Sequence, residues 1–88
     1  MFAVFVAFVA GCAEFGFDYS GYDIDSVGYV SSWKECAKHC NEHRLCQYWT
    51  WNLFDSNSWM HRRCWLKSSK MGRKYVGPSI SGKYDCLR

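Results

Sequence analysis

Six cysteines in eighty-eight residues, at positions 12, 36, 40, 46, 64 and 86, constrain this chain more than any other feature. A single domain this short lies near the lower limit at which a hydrophobic core alone stabilises a fold. Three cross-links are the usual remedy. The densest stretch, "WKECAKHCNEHRLC" from Trp33 to Cys46, holds three of the six with two histidines, and metal binding, catalysis and cross-linking compete for it.

The metal reading fails on geometry. At about 100° per residue, Cys36, His39, Cys40 and His43 share one broad helical face. Four ligands from one rigid helix cannot surround a tetrahedral ion, and zinc sites take close pairs from two elements. No C-x-x-C occurs, and Cys64 and Cys86 are isolated. A catalytic cysteine must be a free thiolate beside a base, whereas an even count of six suggests complete pairing. "GPSISG" does not satisfy G-x-S-x-G, and Asp18, Asp23 and Asp25 sit among turn residues, where acids usually bond nearby backbone amides. No catalytic residue, metal or cofactor is expected.

The cross-linking reading explains the spacing. Cys36 and Cys40 lie one turn apart on the inner face of a helix, each within reach of a strand beneath it. Cys46 opens the next strand and is a partner for Cys40. Cys64 then takes Cys36, and Cys12 and Cys86 are left to tie the ends together. Fifteen connectivities are open in principle. Such a framework belongs in an oxidising, extracellular setting.

The rest of the chain reads as an α+β domain. "SWKE" makes Ser32 an N-cap with Glu35 three residues on, a capping box, and the helix runs to about His43. Trp33, Cys36, Ala37 and Cys40 form its apolar stripe. "EFGFDYSGYDIDSVGYV" suggests turns and short extended pieces. "CQYWTWNLF" and "CWLK" have strand composition, with "DSNSWMHRR" a polar loop between them. "SSKMGRKYVGPSISG" reads as loop and "KYDCL" as a closing strand. Residues 1–11, "MFAVFVAFVAG", are too short for a helical membrane span. They read as a buried strand, with a leader remnant or a lipoprotein box around Cys12 as alternatives that both lack a basic start. The organisation expected is this strand followed by a domain over 12–88.

"CAEFGFDYSGYDI", "SWKECAKHC", "CQYWTWN", "CWLK" and "SGKYDC", in that order and spacing, resemble the PAN/apple family from Cys12 to Cys86. The resemblance implies a curved antiparallel sheet cradling one helix. It also implies the apple-type pairing Cys12–Cys86, Cys36–Cys64 and Cys40–Cys46. Such domains are extracellular modules binding protein or carbohydrate, and their binding residues follow no fixed motif.

Charge narrows the partner. From Met1 to Glu35 there are five acids and one base; from His61 onward there are eight bases and one acid. The formal charge of +3 is too small to mark a nucleic-acid binder. A solvated surface is the plain reading, and a patch for an anionic glycan the sharper one. Aromatic faces stack on sugar rings while Arg and Lys hold sulfate or carboxylate. The candidate ligand-binding residues are Trp59, Arg62, Arg63, Lys67 and Tyr75, whereas Trp49, Trp51 and Trp65 fit the core. A second expectation is a self-assembling filament or coat subunit, with residues 1–11 filling a groove in the next copy. No N-x-[ST] sequon is present.

Overall fold

The computed structural model describes residues 8–53 and 61–87. The elements are β1 (Phe8–Ala10), β2 (Ala13–Tyr19), β3 (Asp23–Val27), α1 (Trp33–Glu42), β4 (Tyr48–Asn52), β5 (Cys64–Lys67) and β6 (Arg73–Lys83). All strands join one antiparallel sheet in the order β1-β2-β6-β4-β5-β3. One helix lies against a curved sheet, the α+β arrangement that the sequence predicts. Residues 1–7 lie outside the described residues.

Ser32 caps α1 from an extended backbone, its Oγ accepting from Glu35 N–H at 3.3 Å. The return bond of the capping box shifts by one residue: Glu35 Oε2 accepts from Ser31 N–H at 3.3 Å. His43 N–H closes the other end on the Cys40 carbonyl at 3.2 Å. The helix buries Cys36, Ala37 and Cys40. Trp33 stacks almost parallel on Trp49, with ring centroids 5.8 Å apart, and Phe15 meets Trp33 edge-on at 5.7 Å. Trp49 is fully buried and donates its indole N–H to the Lys83 carbonyl at 3.0 Å; Trp51 donates to the Val30 carbonyl at 2.8 Å. Each buried indole thus keeps a hydrogen bond while supplying the largest apolar surfaces of the core.

The three disulfides are Cys12–Cys86, Cys36–Cys64 and Cys40–Cys46. Two pin α1 to the β4–β5 region, and the third ties the start of β2 to the turn after β6.

One expectation is corrected. The segment read as loop holds all but the last residue of β6, the longest strand among the described residues, and of the expected closing strand only Lys83 is in a strand, with a turn from Tyr84 to Leu87. Gly77 and Pro78 signal a break, because proline cannot donate to a ladder. Tertiary structure accommodates them at an irregularity. Along β2, Phe15 faces Ile80 but Phe17 faces Tyr75, so two β2 steps span five along β6. Pro78 falls in the slack, where its carbonyl accepts from Leu53 N–H at 2.8 Å. The last half of β6 continues as the partner of β4.

The disulfides close loops of different length, with separations of 74, 28 and 6 residues. Replacing each pair by serine should lower the unfolding free energy by about 4.5, 3.5 and 2 kcal/mol for Cys12–Cys86, Cys36–Cys64 and Cys40–Cys46 respectively. Urea denaturation of the three double variants measures this ranking, and a reversed order would contradict the chain-entropy account.

Candidate functional site

The face of the sheet away from α1 is polar. Alternation along β4 sends Trp49 and Trp51 toward the helix and Tyr48, Thr50 and Asn52 to the opposite side. Register adds Trp65 and Lys67 from β5 and Ser79, Ser81 and Lys83 from β6, each opposite one of these three. Thr50 and Ser81 are nonetheless fully buried, because the outer ends of β2 and β6 fold over them.

This flap runs through Phe17–Tyr19 paired with Arg73–Tyr75. It bends away at Gly16, whose φ of +91° lies in the left-handed region that favours glycine. Three contacts hold it down: Tyr19 N–H donates to Thr50 Oγ1 at 3.1 Å, the Thr50 and Ser81 hydroxyls share a 2.7 Å bond, and Ser81 Oγ donates to the Phe17 carbonyl at 2.7 Å. At its tip Ser20 N–H donates to the Gly72 carbonyl at 3.1 Å. Gly72 has no alternative there, since a Cβ would lie 1.9 Å from the Ser20 oxygen.

A recess opens on each side of the flap. The first is a groove of about 550 Å³ lined by Tyr19, Tyr48, Glu14, Lys70, Arg73 and Lys83, with Cys12 at its edge. Three cations face one carboxylate. Glu14 accepts from two Arg73 donors, Nε shared between its oxygens at 3.0 and 3.1 Å and Nη2 at 2.6 Å, and takes a short bond from the Tyr19 hydroxyl. The Arg73 bond, helped by Tyr19 and by the charges of Arg73 and Lys70, holds the Glu14 carboxyl below its ordinary pKa against the opposing effect of burial. Burial, then Glu14, pushes the Tyr19 hydroxyl well above the usual phenol range. Arg73 is exposed as well but engaged by Glu14, so among the described residues Lys70 and Lys83 are the exposed cations of the groove that no carboxylate pairs. The Lys70 ammonium lies 5.8 Å from the centroid of the Tyr48 ring.

The second recess, about 180 Å³, lies between Asp18 and Ser20 of the flap and Asn52, Trp65, Lys67 and Asp23. Lys67 is almost fully buried; its ammonium donates to the Gly21 carbonyl at 3.0 Å and pairs with Asp23, its direct cross-strand partner. Asp18 is pushed above its ordinary pKa, chiefly by burial, while Lys67 and Lys74 pull the other way.

The predicted binding residues do not form one patch. Arg62 and Arg63 are adjacent and half-buried at the start of β5. Arg62 Nη1 donates to the Ser31 carbonyl at 3.0 Å and its guanidinium covers Tyr29 and Trp51. Arg63 Nη1 donates to Ser26 Oγ at 3.1 Å and its guanidinium covers Trp65. Lys67 stands at the other end of β5, internal rather than exposed. The reason is cross-strand pairing, which sets its chain against Asp23. Tyr75 lies on β6, two strands away, exposed and edge-on to Phe17 at 6.0 Å. Trp59 lies outside the described residues. Trp49 and Trp51 are core residues as expected, and Trp65 is half-buried on the polar face. Lys70, Arg73 and Lys83 do not group in the sequence because β6 reads as loop; alternation through Ser79, Ser81 and Lys83 is a signal for Lys83, while the register shift of β6 on β2 hides the placement of Lys70 and Arg73.

His43, the C-cap of α1, has structural surroundings: its Nε2 lies 3.4 Å from Asp25 Oδ2, and its Nδ1 accepts from Leu45 N–H. All six sulfurs are in disulfides. Among the described residues no group of three or more His, Cys, Asp and Glu is arranged to hold a metal ion.

A family model described as PAN domain matches residues 17–67, more than half of the chain. No curated protein matches.

Asp18 carries a pH signature. Its folded pKa is raised, so its contribution to stability is complete below the unfolded value and is lost as pH rises through the folded value. At neutral pH the ionised carboxylate therefore costs stability. Asp18→Asn should raise Tm at pH 7, with the gain shrinking toward pH 3; a Tm difference that grows on acidification would contradict this assignment.

Proposed function

Since this chain belongs to the PAN domain family, we propose that it is an extracellular, non-catalytic binding module whose ligand is an anionic glycan. PAN domains generally mediate protein or carbohydrate binding and are typically non-catalytic. Three disulfides in one small domain suit an oxidising compartment. No helix among the described residues is long and apolar enough to cross a membrane.

The observation that carries the reading is the groove beside the flap. Tyr48 forms an aromatic wall, and Lys70 and Lys83 stand exposed around it. An aromatic face and flanking ammonium groups complement a sugar ring bearing sulfate or carboxylate. The Glu14–Arg73 pair gives the groove a fixed floor and keeps the carboxylate occupied, so the exposed potential is positive. Arg62 and Arg63 are a lesser anchor, because their guanidinium groups already serve internal contacts.

Heparin is the test ligand. Its affinity should fall steeply between about 50 and about 200 mM salt, as expected for exposed charges. Lys70→Ala and Lys83→Ala should each weaken binding by about threefold to tenfold, on the order of 1 kcal/mol per charge–charge contact. Isothermal titration calorimetry reads both effects. Salt-independent binding, or none, sinks the proposal; losses confined to Arg62→Ala and Arg63→Ala overturn the groove as its seat.

A second reading starts from the place of β1 at the end of the strand order. There a strand is a template for pairing with another chain, and the apolar run through residues 1–11 would supply the contact between copies. Deleting Met1–Gly11 should then convert assemblies to monomers by light scattering, and continued assembly refutes it.

A further inference from the structure

The recess on the other side of the flap differs in chemistry from the groove. Asp18 and Ser20 border it on one side, while Tyr19, between them in sequence, faces the groove. Asn52 and Trp65 form the opposite wall. We propose that this pocket binds one neutral saccharide ring.

Four observations carry the proposal. First, the charges balance: Lys67 pairs with Asp23, and Lys67 and Lys74 both bear on Asp18. An ionic ligand gains little there, in contrast to the groove. Second, donors and acceptors converge without being used up. Among the described residues, no side chain hydrogen-bonds the Asn52 amide or the Ser20 hydroxyl, and Asp18 has the Thr50 hydroxyl and the charges of Lys67 and Lys74 near it. An amide, a hydroxyl and a carboxylate together match ring hydroxyls, which both donate and accept. Third, Trp65 lines the pocket with an aromatic ring, which the Arg63 guanidinium approaches at 5.8 Å from the centroid, so an aromatic side chain is available to pack on a ring's C–H groups. Fourth, a volume of about 180 Å³ is room for a single ring and not for a chain. The walls are also firm. Asn52 is held by backbone bonds to Arg62 and Arg63, and Lys67 by Gly21 and Asp23.

The inference rests on reading the domain as a binding module but uses no residue that lines the groove. A single ring held by a few hydrogen bonds should bind with a Kd on the order of millimolar. The ¹⁵N-labelled domain is titrated with glucose, galactose, mannose and N-acetylglucosamine, following the Asn52 side-chain amide and the Trp65 indole N–H. At least one sugar should shift both signals saturably. Asn52→Ala should weaken that binding about tenfold, and Asp18→Asn, which preserves shape, should weaken it as well. Both variants should keep the wild-type affinity for heparin. Failure of heparin to bind, with the sugar shifts intact, removes the groove and leaves this pocket standing. The proposal is overturned by the absence of saturable shifts with all four sugars, or by shifts that map to Tyr48 and Lys83 instead. It is equally overturned if N-acetyl-lysine methylamide saturates the pocket signals where the sugars do not, which would make it a receptor for a cationic side chain.

Discussion

The covalent attachment of one helix to one sheet is the constraint on which everything else depends. Cys36 and Cys40 face inward from α1 and are fixed to Cys64 and Cys46. Between them and the sheet, the Trp33–Trp49 stack fills the space that a larger protein would fill with many aliphatic side chains. A chain this short buries little surface relative to its conformational entropy. Cross-links that restrict the unfolded chain therefore matter more here than in a larger domain. With one face of the sheet secured, the other is released from core duty.

That release shapes the second face. It buries Thr50, Ser79, Ser81 and Lys67 rather than aliphatic residues, and each buried hydroxyl or ammonium must find a partner or cost several kcal/mol. The flap of β2 and β6 supplies partners for Thr50 and Ser81, and β3 supplies one for Lys67. A polar interior held by specific hydrogen bonds has a defined geometry, so the recesses beside it are preformed.

The two recesses divide the recognition chemistry. Lys70, Lys83 and Tyr48 make the groove positive and aromatic, while Asp18, Asn52, Ser20 and Trp65 make the pocket neutral and hydrogen-bonding. The separation follows from strand alternation in the flap, where adjacent residues of β2 serve opposite sides. One bend at Gly16 thus creates both sites. The pocket residues lie within the stretch matched by the PAN domain model, whereas Lys70, Arg73 and Lys83 lie beyond its end at Lys67.

Local signals were enough for much of this. The capping box at Ser32–Glu35, the stripe of Trp33, Cys36, Ala37 and Cys40, and the strands around Trp49 and Cys64 depend on neighbours in sequence, and each is where residue order puts it. Cysteine spacing along that helix was compatible with the observed pairing. What residue order did not disclose was β6, because Gly77 and Pro78 are breakers unless a register shift absorbs them. It also did not disclose that Lys67 is internal, since its burial depends on Asp23 arriving from a strand 44 residues earlier. Residue order alone specifies the helix, its staples and the sign of the charge on the second half. Which cations are spent on internal pairs and which face solvent is set by the folded sheet, because that turns on cross-strand partners distant in the chain.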